Sequence, residues 1–187
     1  MIIQERLAFL RNAVDDPGVG AVTMSSTYVV RAVLRTLPAN VTTVVEHGAG
    51  TGSLTRRLLQ LLPPHGRLYA VERSPAFAEH LSGIADSRLT VVKRSVEDLS
   101  YKALGIGGHV DAIVSSIPFS FVSTGDRRGI VAAAHQALRP EGVFSVFHQY
   151  SLLMRGVLCE SFAAVRVTFE PRNVFPCFIL QATKRRR

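Results

Sequence analysis

The feature that most constrains this chain is an alternation, beginning near residue 40, of short apolar segments with segments of helical periodicity. We predict strands at 41–46, 67–72, 89–93, 110–115 and 143–150, with helices between most of them. Apolar strands that alternate with helices form a parallel sheet covered by helices on both faces. The pattern therefore predicts an α/β domain.

The last two predicted strands break this alternation. They lie near 163–170 and 174–182 and are joined by Glu170-Pro171-Arg172-Asn173, with no helix between them. Such a short connection makes a hairpin, and a hairpin joins antiparallel strands. The expected architecture is a seven-stranded, mostly parallel sheet whose last strand is antiparallel.

The N-terminal part predicts a helix over 2–14. Its apolar positions recur at helical spacing: Ile3, Leu7, Leu10 and Val14. Arg6 and Arg11 lie beside this stripe, so the helix is suited to an anionic membrane interface. The same stripe is equally suited to packing on the core as a lid, and the sequence leaves both interpretations open.

A second helix is expected to begin near Ser25 and Ser26, whose hydroxyls can cap it. We interpret residues 1–187 as a single domain. Residues 1–39 form its N-terminal helical lid or membrane segment, and residues 40–187 form its cofactor-binding core.

A glycine-rich loop, Glu46-His47-Gly48-Ala49-Gly50-Thr51-Gly52, follows the first core strand. It lies between a strand and a helix, where nucleotide cofactors bind. Glu72 closes the second strand, 20 residues beyond Gly52, where an acid reaches ribose hydroxyls. The glycine spacing is not the dinucleotide G-x-G-x-x-G, and no Walker G-K-[ST] follows it. Glu46 suits the α-amino group of a methionine moiety better than a pyrophosphate.

These residues resemble the first motif of class I S-adenosylmethionine-dependent methyltransferases, from about residue 40 to the end. The resemblance implies a Rossmann-like fold, with S-adenosylmethionine as cofactor and S-adenosylhomocysteine as product. The segment 94–99 resembles the family's adenine-contacting stretch, although many members have Asp where this chain has Ser95, and 137–142 resembles the turn before the fifth strand. The cofactor-binding residues so implied are Glu46, Gly48, Ala49, Gly50, Gly52, Glu72, Arg73, Ser95, Val96 and Ser115.

The fourth strand ends in Ser115-Ser116-Ile117-Pro118-Phe119. Amino methyltransferases carry a related turn here, whose carbonyls accept hydrogen bonds from the target amine, so Ser116 and Ile117 are catalytic candidates. Ribosomal RNA adenine dimethyltransferases have an Asn version of this turn. Bacterial phospholipid N-methyltransferases have a Ser version, which this chain resembles more closely.

Three other stretches also resemble the phospholipid enzymes, which methylate head groups such as phosphatidylethanolamine. They are 9–26, 147–150 and 172–176. The RNA enzymes usually add a C-terminal helical domain, whereas this chain ends soon after the last strand. A nucleic-acid adenine N-methyltransferase and a non-enzymatic cofactor-binding scaffold remain alternatives, although the intact glycine loop with two acids weighs against the scaffold.

Side chains that could serve the acceptor lie near the ends of predicted elements. Tyr150 and His148, at the end of the fifth strand, could relay the proton that the amine must lose, and Tyr150 could hold a methylammonium group. Tyr28 is an alternative for the latter task. Arg172 could pair with a lipid phosphate, and Phe119 could stack on a base in the nucleic-acid alternative.

The charge indicates an anionic partner. There are 22 basic and 14 acidic residues, giving a net charge of +8. Nucleic acid and an anionic membrane both satisfy such a charge. The resemblance favours the membrane, and we expect Arg6, Arg11 and the tail Lys184–Arg187 to contact lipid.

The remaining compositional signals concern location. The start of the chain has no secretory pattern, and no uncharged apolar run reaches the roughly 18–20 residues of a spanning helix. We therefore predict a cytoplasmic protein with peripheral membrane contact. Cys159 and Cys177 are the two cysteines, and they lack metal-ligand or redox spacing. No metal is predicted.

Overall fold

The computed structural model describes residues 26–149, 151–172 and 176–186. The strands in these ranges are β1 Thr43–His47, β2 Arg67–Val71, β3 Leu89–Val92, β4 Val110–Ser115, β5 Leu138–Gln149, β6 Ala164–Glu170 and β7 Cys177–Thr183. The helices are α1 Thr27–Leu34, α2 Ser53–Leu61, α3 Pro75–Ser82, α4 Thr124–Ala137 and α5 Met154–Ser161, with a 3-10 turn at Phe119–Phe121. The predicted helix over 2–14 lies outside the described residues.

The strands form one seven-stranded sheet in the order β3-β2-β1-β4-β5-β7-β6. Strand β7 is antiparallel to both β5 and β6, and the other pairs are parallel. The predicted Rossmann-like fold is confirmed, including its reversed last strand. The strand order switches direction between β1 and β4, and ligands bind outside the carboxyl ends of the strands at such a switch point.

Alternating side chains of the strands pack against helices on both faces. On one face, Val44 of β1 shares a buried cluster with Val33 of α1 and Leu58 of α2. On the other, Val45 shares a larger cluster with residues of α4 and α5, such as Val131 and Leu158. Each large apolar side chain buried in this way contributes about 1.5–3 kcal/mol to folding.

The two ends of the strands define two opposite edges of the sheet. The carboxyl edge is where β1–β6 end and β7 begins, and the amino edge is the opposite one. The tail that follows β7 therefore lies at the amino edge. There Lys184 Nζ donates to the carbonyls of His135 and Leu138, 2.6 Å away in both cases.

Element boundaries differ from the prediction where hydrogen bonds were not visible in the sequence. Helix α4 begins at Thr124, because Ser123 Oγ caps it by accepting a 3.1 Å hydrogen bond from the Asp126 amide. Strand β5 includes the predicted turn at 139–142, because Glu141 and Gly142 exchange backbone hydrogen bonds with Lys184. Ser26 caps α1 as predicted, accepting from the Val29 amide.

Candidate active site

The glycine loop between β1 and α2 has a left-handed backbone at three positions: Gly48, Gly50 and Gly52 have φ angles of 74°, 53° and 77°. Gly48 is also pressed against the turn after β4. A Cβ on Gly48 would lie 2.9 Å from Ile117 Cγ2 and 3.3 Å from Ser116 Oγ. A side chain at this position would therefore be strained and would push the two loops apart.

Glu72 directly follows β2, and its carboxylate is hydrogen-bonded to the glycine loop. One carboxylate oxygen accepts from the Gly50 amide and the other from the Ser74 amide, both at 2.8 Å. The side chain is buried yet lines the adjoining cavity. Because a carboxylate has about four acceptor sites, Glu72 can keep these two bonds and still bind hydroxyl groups.

Glu46 lies in the buried layer beneath the loop. Its Oε2 accepts from Thr55 Oγ1 at 2.7 Å, and only 2% of the residue surface is exposed. Burial, reinforced by the negative charge of Glu72, raises the pKa of Glu46 to about 8 despite the Thr55 hydrogen bond. The carboxyl group therefore holds a proton at neutral pH, and a cation brought next to it would favour its ionised form.

The loop, the ends of β2 and β3 and the turn after β4 line a cavity that is partly open to solvent, with about 810 Å³ of empty space when its open mouth is included. The wall combines apolar side chains with acids and arginines. It is formed by Gly48, Gly50, Val71, Glu72, Arg73, Phe77, Arg94, Ser95, Val96, Glu97, Ser116, Ile117, Pro118, Phe121 and Val122. Six predicted cofactor residues and two predicted catalytic residues, Ser116 and Ile117, are thus brought together.

The turn after β4 is fastened to the glycine loop. The Ser116 amide donates to the His47 carbonyl at 3.1 Å, and Ser116 Oγ donates to the Gly48 carbonyl at 2.8 Å. These bonds place Ile117 against Gly48, where it forms part of the cavity wall. The hydroxyl of Ser116 therefore positions the turn.

His47, which the sequence did not single out, stabilises the layer below this turn. It is fully buried, and its Nε2 lies 2.8 Å from the hydroxyl of Tyr101, which is also buried. Burial lowers the pKa of His47 to about 3, so the ring is neutral. Beneath the carboxyl ends of β1 and β4 this pair makes a polar contact within an otherwise apolar cluster.

His148 is half-buried near the end of β5, two residues beyond Val146, the last β5 residue paired with β4. Its Nδ1 lies 2.9 Å from the Gln149 carbonyl, which can only accept a hydrogen bond. Nδ1 therefore carries the proton, and Nε2 of the neutral ring is an acceptor. Burial, with a contribution from the positive charge of Arg127, lowers the pKa of His148. Tyr150, the other candidate on this strand, lies outside the described residues.

Burial contradicts the stacking role predicted for Phe119, and Ser115 lies away from the cavity wall. Phe119 is completely buried in the core cluster and has no free face on which a base could stack. Ser115 is also completely buried and does not line the cavity. The 3-10 turn explains the first error, because it points residues 119 and 121 in different directions. Phe121, 65% exposed, lies on the cavity wall instead.

Two other cofactor candidates support the loop from inside. Ala49 is buried with Ala70 and Leu81 under α3. Gly52 begins α2, and a Cβ there would meet Leu81 Cδ2 at 2.9 Å. Both residues shape the loop without lining the cavity.

Arg172 and Tyr28 form a separate cluster at the carboxyl edge. The Arg172 side chain donates two 2.8 Å hydrogen bonds to the Glu170 carboxylate and lies over the Tyr28 ring, 4.7 Å from its centre. This arginine lowers the pKa of Glu170 to about 2. The contact with a lipid phosphate thus remains a prediction, and Arg172 would have to make it alongside these partners.

Several cavity residues were not among the site residues predicted from the sequence: Val71, Phe77, Arg94, Glu97, Pro118, Phe121 and Val122. Most of them lie within or next to recognised motifs, and that position in the sequence was the only indication that they line the cavity. Ser95 and Val96 line the wall as predicted, and Ser95 Oγ donates to Glu97.

The cavity fits the cofactor that the motif implies. An acid, Glu72, is available for ribose hydroxyls, and the apolar surfaces of Val71, Phe77 and Val96 can pack on a flat ring. Gly50 leaves room for close backbone approach, because a Cβ there would meet nothing within 4 Å, whereas Glu46 lies beneath the loop and is not part of the cavity wall. Within the part of the chain that the structure describes, no cluster of His, Cys, Asp and Glu could hold a metal ion.

Comparison with known proteins gives two direct relationships. A family model described as a methyltransferase domain matches residues 45–144. The chain is also 31% identical over 157 residues to ornithine lipid N-methyltransferase of Singulisphaera acidiphila, and the alignment covers 81% of each protein.

Solved structures with the same fold include two methyltransferases. The N-methyltransferase NodS of Bradyrhizobium japonicum matches with a TM-score of 0.71 at 13% identity, over 84% of this chain and 95% of that one. Precorrin-6y C5,15-methyltransferase of Geobacter metallireducens matches with a TM-score of 0.66 at 21% identity, over 87% and 90%. At these identities the likeness shows the fold alone.

Proposed function

Because the chain belongs to the class I S-adenosylmethionine-dependent methyltransferases and is related to the lipid N-methyltransferases, we propose that it methylates the amine of a membrane-lipid head group at an anionic bilayer surface. The observation that carries the choice of substrate is the 31% identity to an ornithine lipid N-methyltransferase over 81% of both chains. Ornithine lipid and phosphatidylethanolamine both present a primary amine, so both are candidate acceptors.

In this proposal the residues of the cavity bind and orient the cofactor. Glu72 accepts hydrogen bonds from the ribose hydroxyls, and Val96 packs against the adenine. Glu46 pairs with the α-amino group, and the backbone of Gly48 and Gly50 allows close approach. When bound, S-adenosylmethionine supplies an electrophilic methyl group.

The acceptor amine would enter beside the turn after β4. The carbonyls of Ser116 and Ile117 accept its hydrogen bonds and aim the nitrogen lone pair along the line of transfer. Alignment of this kind supplies most of the rate that the protein can contribute, because the displacement itself needs no protein nucleophile.

The amine must lose a proton before it attacks. His148 is the described residue best suited to accept it, since its ring is neutral and its Nε2 is an acceptor. Proton transfer to such a base contributes about 100-fold or more to a rate. Tyr150 remains a further candidate for holding the amine or the methylated product.

The test is transfer of label from radioactive S-adenosylmethionine to separate acceptors: phosphatidylethanolamine, ornithine lipid and a ribosomal RNA transcript. We expect label in at least one lipid and none in RNA. The control is Glu72→Ala, which should weaken cofactor binding by about 1–3 kcal/mol because charged hydrogen bonds are lost. Label in RNA with none in either lipid would contradict the proposal.

A further inference from the structure

Exposed apolar side chains are concentrated at the carboxyl edge. Seven large apolar residues are exposed in the described part of the chain: Tyr28, Leu61, Phe121, Leu152, Leu153, Val167 and Phe169. Five of them lie at or near the carboxyl edge, and the exceptions are Leu61 and Val167. The uneven distribution is informative, because single exposed apolar residues scattered over a surface need no explanation.

Three of these side chains sit on adjacent loops beside the cavity. Phe121 follows β4 and is 65% exposed, and Leu152 and Leu153 follow β5 and are 43% and 39% exposed. Strands β4 and β5 are neighbours in the sheet, so their loops emerge side by side. Phe121 also lines the cavity, which places this apolar group next to the point where an acceptor enters.

Positive charge accompanies the apolar group. Arg155, in the first turn of α5, is exposed, and its guanidinium has no hydrogen-bond or ion-pair partner among the described residues. Arg127, near the start of α4, donates to the Phe119 carbonyl two residues before Phe121, whereas the neighbouring Arg128 is paired with Glu160. Apolar side chains flanked by arginines are the composition of surfaces that enter the head-group region of anionic bilayers.

The basic tail has a different position. It follows β7 at the amino edge, where Lys184 caps the carbonyl end of α4 and Arg186 lies 4.0 Å from Glu141. The tail and the cavity are therefore at opposite ends of the strands. A bilayer that touches the tail residues could not at the same time present its head groups to the cavity.

We propose that the carboxyl-edge group Phe121, Leu152, Leu153 and Arg155 is the surface that docks into an anionic lipid interface, with the tail directed away from it. This inference rests on the proposed function, because it names the face that a bilayer-embedded acceptor must meet. It replaces our expectation that the tail contacts lipid, and it keeps the cavity mouth at the level of the head groups.

The experiment measures binding of the full chain to vesicles of phosphatidylglycerol and phosphatidylcholine, which carry no primary amine. The test variant is the double substitution Leu152→Ser and Leu153→Ser. We expect its vesicle affinity to fall about ten-fold or more, because two partly buried leucines leave the interface. Leu61→Ser, a leucine of similar exposure at the amino edge, and the pair Arg185→Gln and Arg186→Gln are controls expected to stay within about two-fold.

Unchanged vesicle affinity in the double-serine variant, or a larger loss in the tail variant, would overturn the docking surface. The single variant Leu152→Ser, compared at equal thermal stability, guards against a folding defect. Methylation of lipid in detergent micelles is assayed in parallel. If the wild type binds vesicles through Leu152 and Leu153 but labels no lipid, the docking surface stands and the proposed function fails.

Discussion

The two halves of the site are built differently. On the cofactor half, backbone amides and short side chains lock the glycine loop, Glu72 and Ser116 into one hydrogen-bonded unit. On the acceptor half that we propose, the groups are His148, which is half-buried near the end of β5 and not on the cavity wall, and exposed apolar side chains such as Phe121. In the proposed function, the cofactor is therefore held mainly by backbone geometry, whereas the acceptor meets side chains near the strand ends.

The largest effect is expected from Gly48→Ala. The left-handed backbone costs a non-glycine residue roughly 1–2 kcal/mol, and the new Cβ also displaces Ile117 and Ser116, so affinity for S-adenosylhomocysteine should fall about 100-fold or more. The measurement is calorimetric titration. It tests whether the cofactor half depends on contact between the glycine loop and the turn after β4.

Gly108→Ala is the matched control for Gly48→Ala. Gly108 has a φ of 79°, close to that of Gly48, but a Cβ there would meet nothing within 4 Å and the residue is not on the cavity wall. Its substitution should reduce thermal stability and leave cofactor affinity unchanged. Equal losses of affinity in both variants would contradict the role assigned to Gly48.

The acceptor half is tested by His148→Asn. We expect kcat for lipid methylation to fall by about 100-fold, with affinity for S-adenosylhomocysteine unchanged, because the variant lacks the proposed general base and leaves the cofactor half intact. In the wild type, kcat should fall on acidification through the pKa of His148, which lies below its ordinary value. This acidic limb should disappear in the variant.

His109→Asn, at an exposed position before β4, is the control and should keep the wild-type pH profile. A His148→Asn enzyme that retains the acidic limb would assign the proton transfer to another group. The acceptor half would then contain no proton-accepting histidine, and its difference from the cofactor half would rest on the exposed apolar side chains alone.

The contrast also explains what could be predicted from the sequence. The loop, Glu72 and the sheet are set by local spacing: glycines beside a strand end, an acid at the next strand end and apolar periodicity. Phe119 and Ser115 were misplaced because their exposure depends on the direction of a 3-10 turn and on a strand face. Those directions follow from packing between segments distant in sequence, which local spacing does not encode.

The same limit applies to charge. Composition predicted an anionic partner, but it could not tell which arginines face it. Arg172 is engaged by Glu170 and Tyr28, and Lys184 caps α4, contacts that span the hairpin, α1 and the amino edge. Arg155, Leu152 and Leu153 can be assigned to one surface with Phe121 only once the sheet order shows that β4 and β5 are neighbours.

The last prediction concerns Glu46 and has the smallest expected step, at most about ten-fold in cofactor affinity per pH unit. Its pKa of about 8 means that the folded protein without cofactor holds a proton that the unfolded chain releases at its ordinary pKa near 4.5. The stability of the cofactor-free protein should therefore decrease as pH rises from about 5 to about 8. Cofactor affinity should show the opposite trend, because only the ionised carboxylate pairs with the α-ammonium group.

Between pH 6 and 8, we expect the affinity of the wild type for S-adenosylhomocysteine to increase by at most about ten-fold per pH unit, with up to one proton released on binding. Titrations in buffers of different ionisation enthalpy measure that proton. Glu46→Gln should bind more weakly, with no proton release and a flat profile, whereas Glu79→Gln, at an exposed position of α3, should behave as the wild type. If proton release persists in Glu46→Gln, Glu46 is not the group that pairs with the cofactor. The cofactor half of the site would then consist of the glycine loop, Glu72 and Ser116.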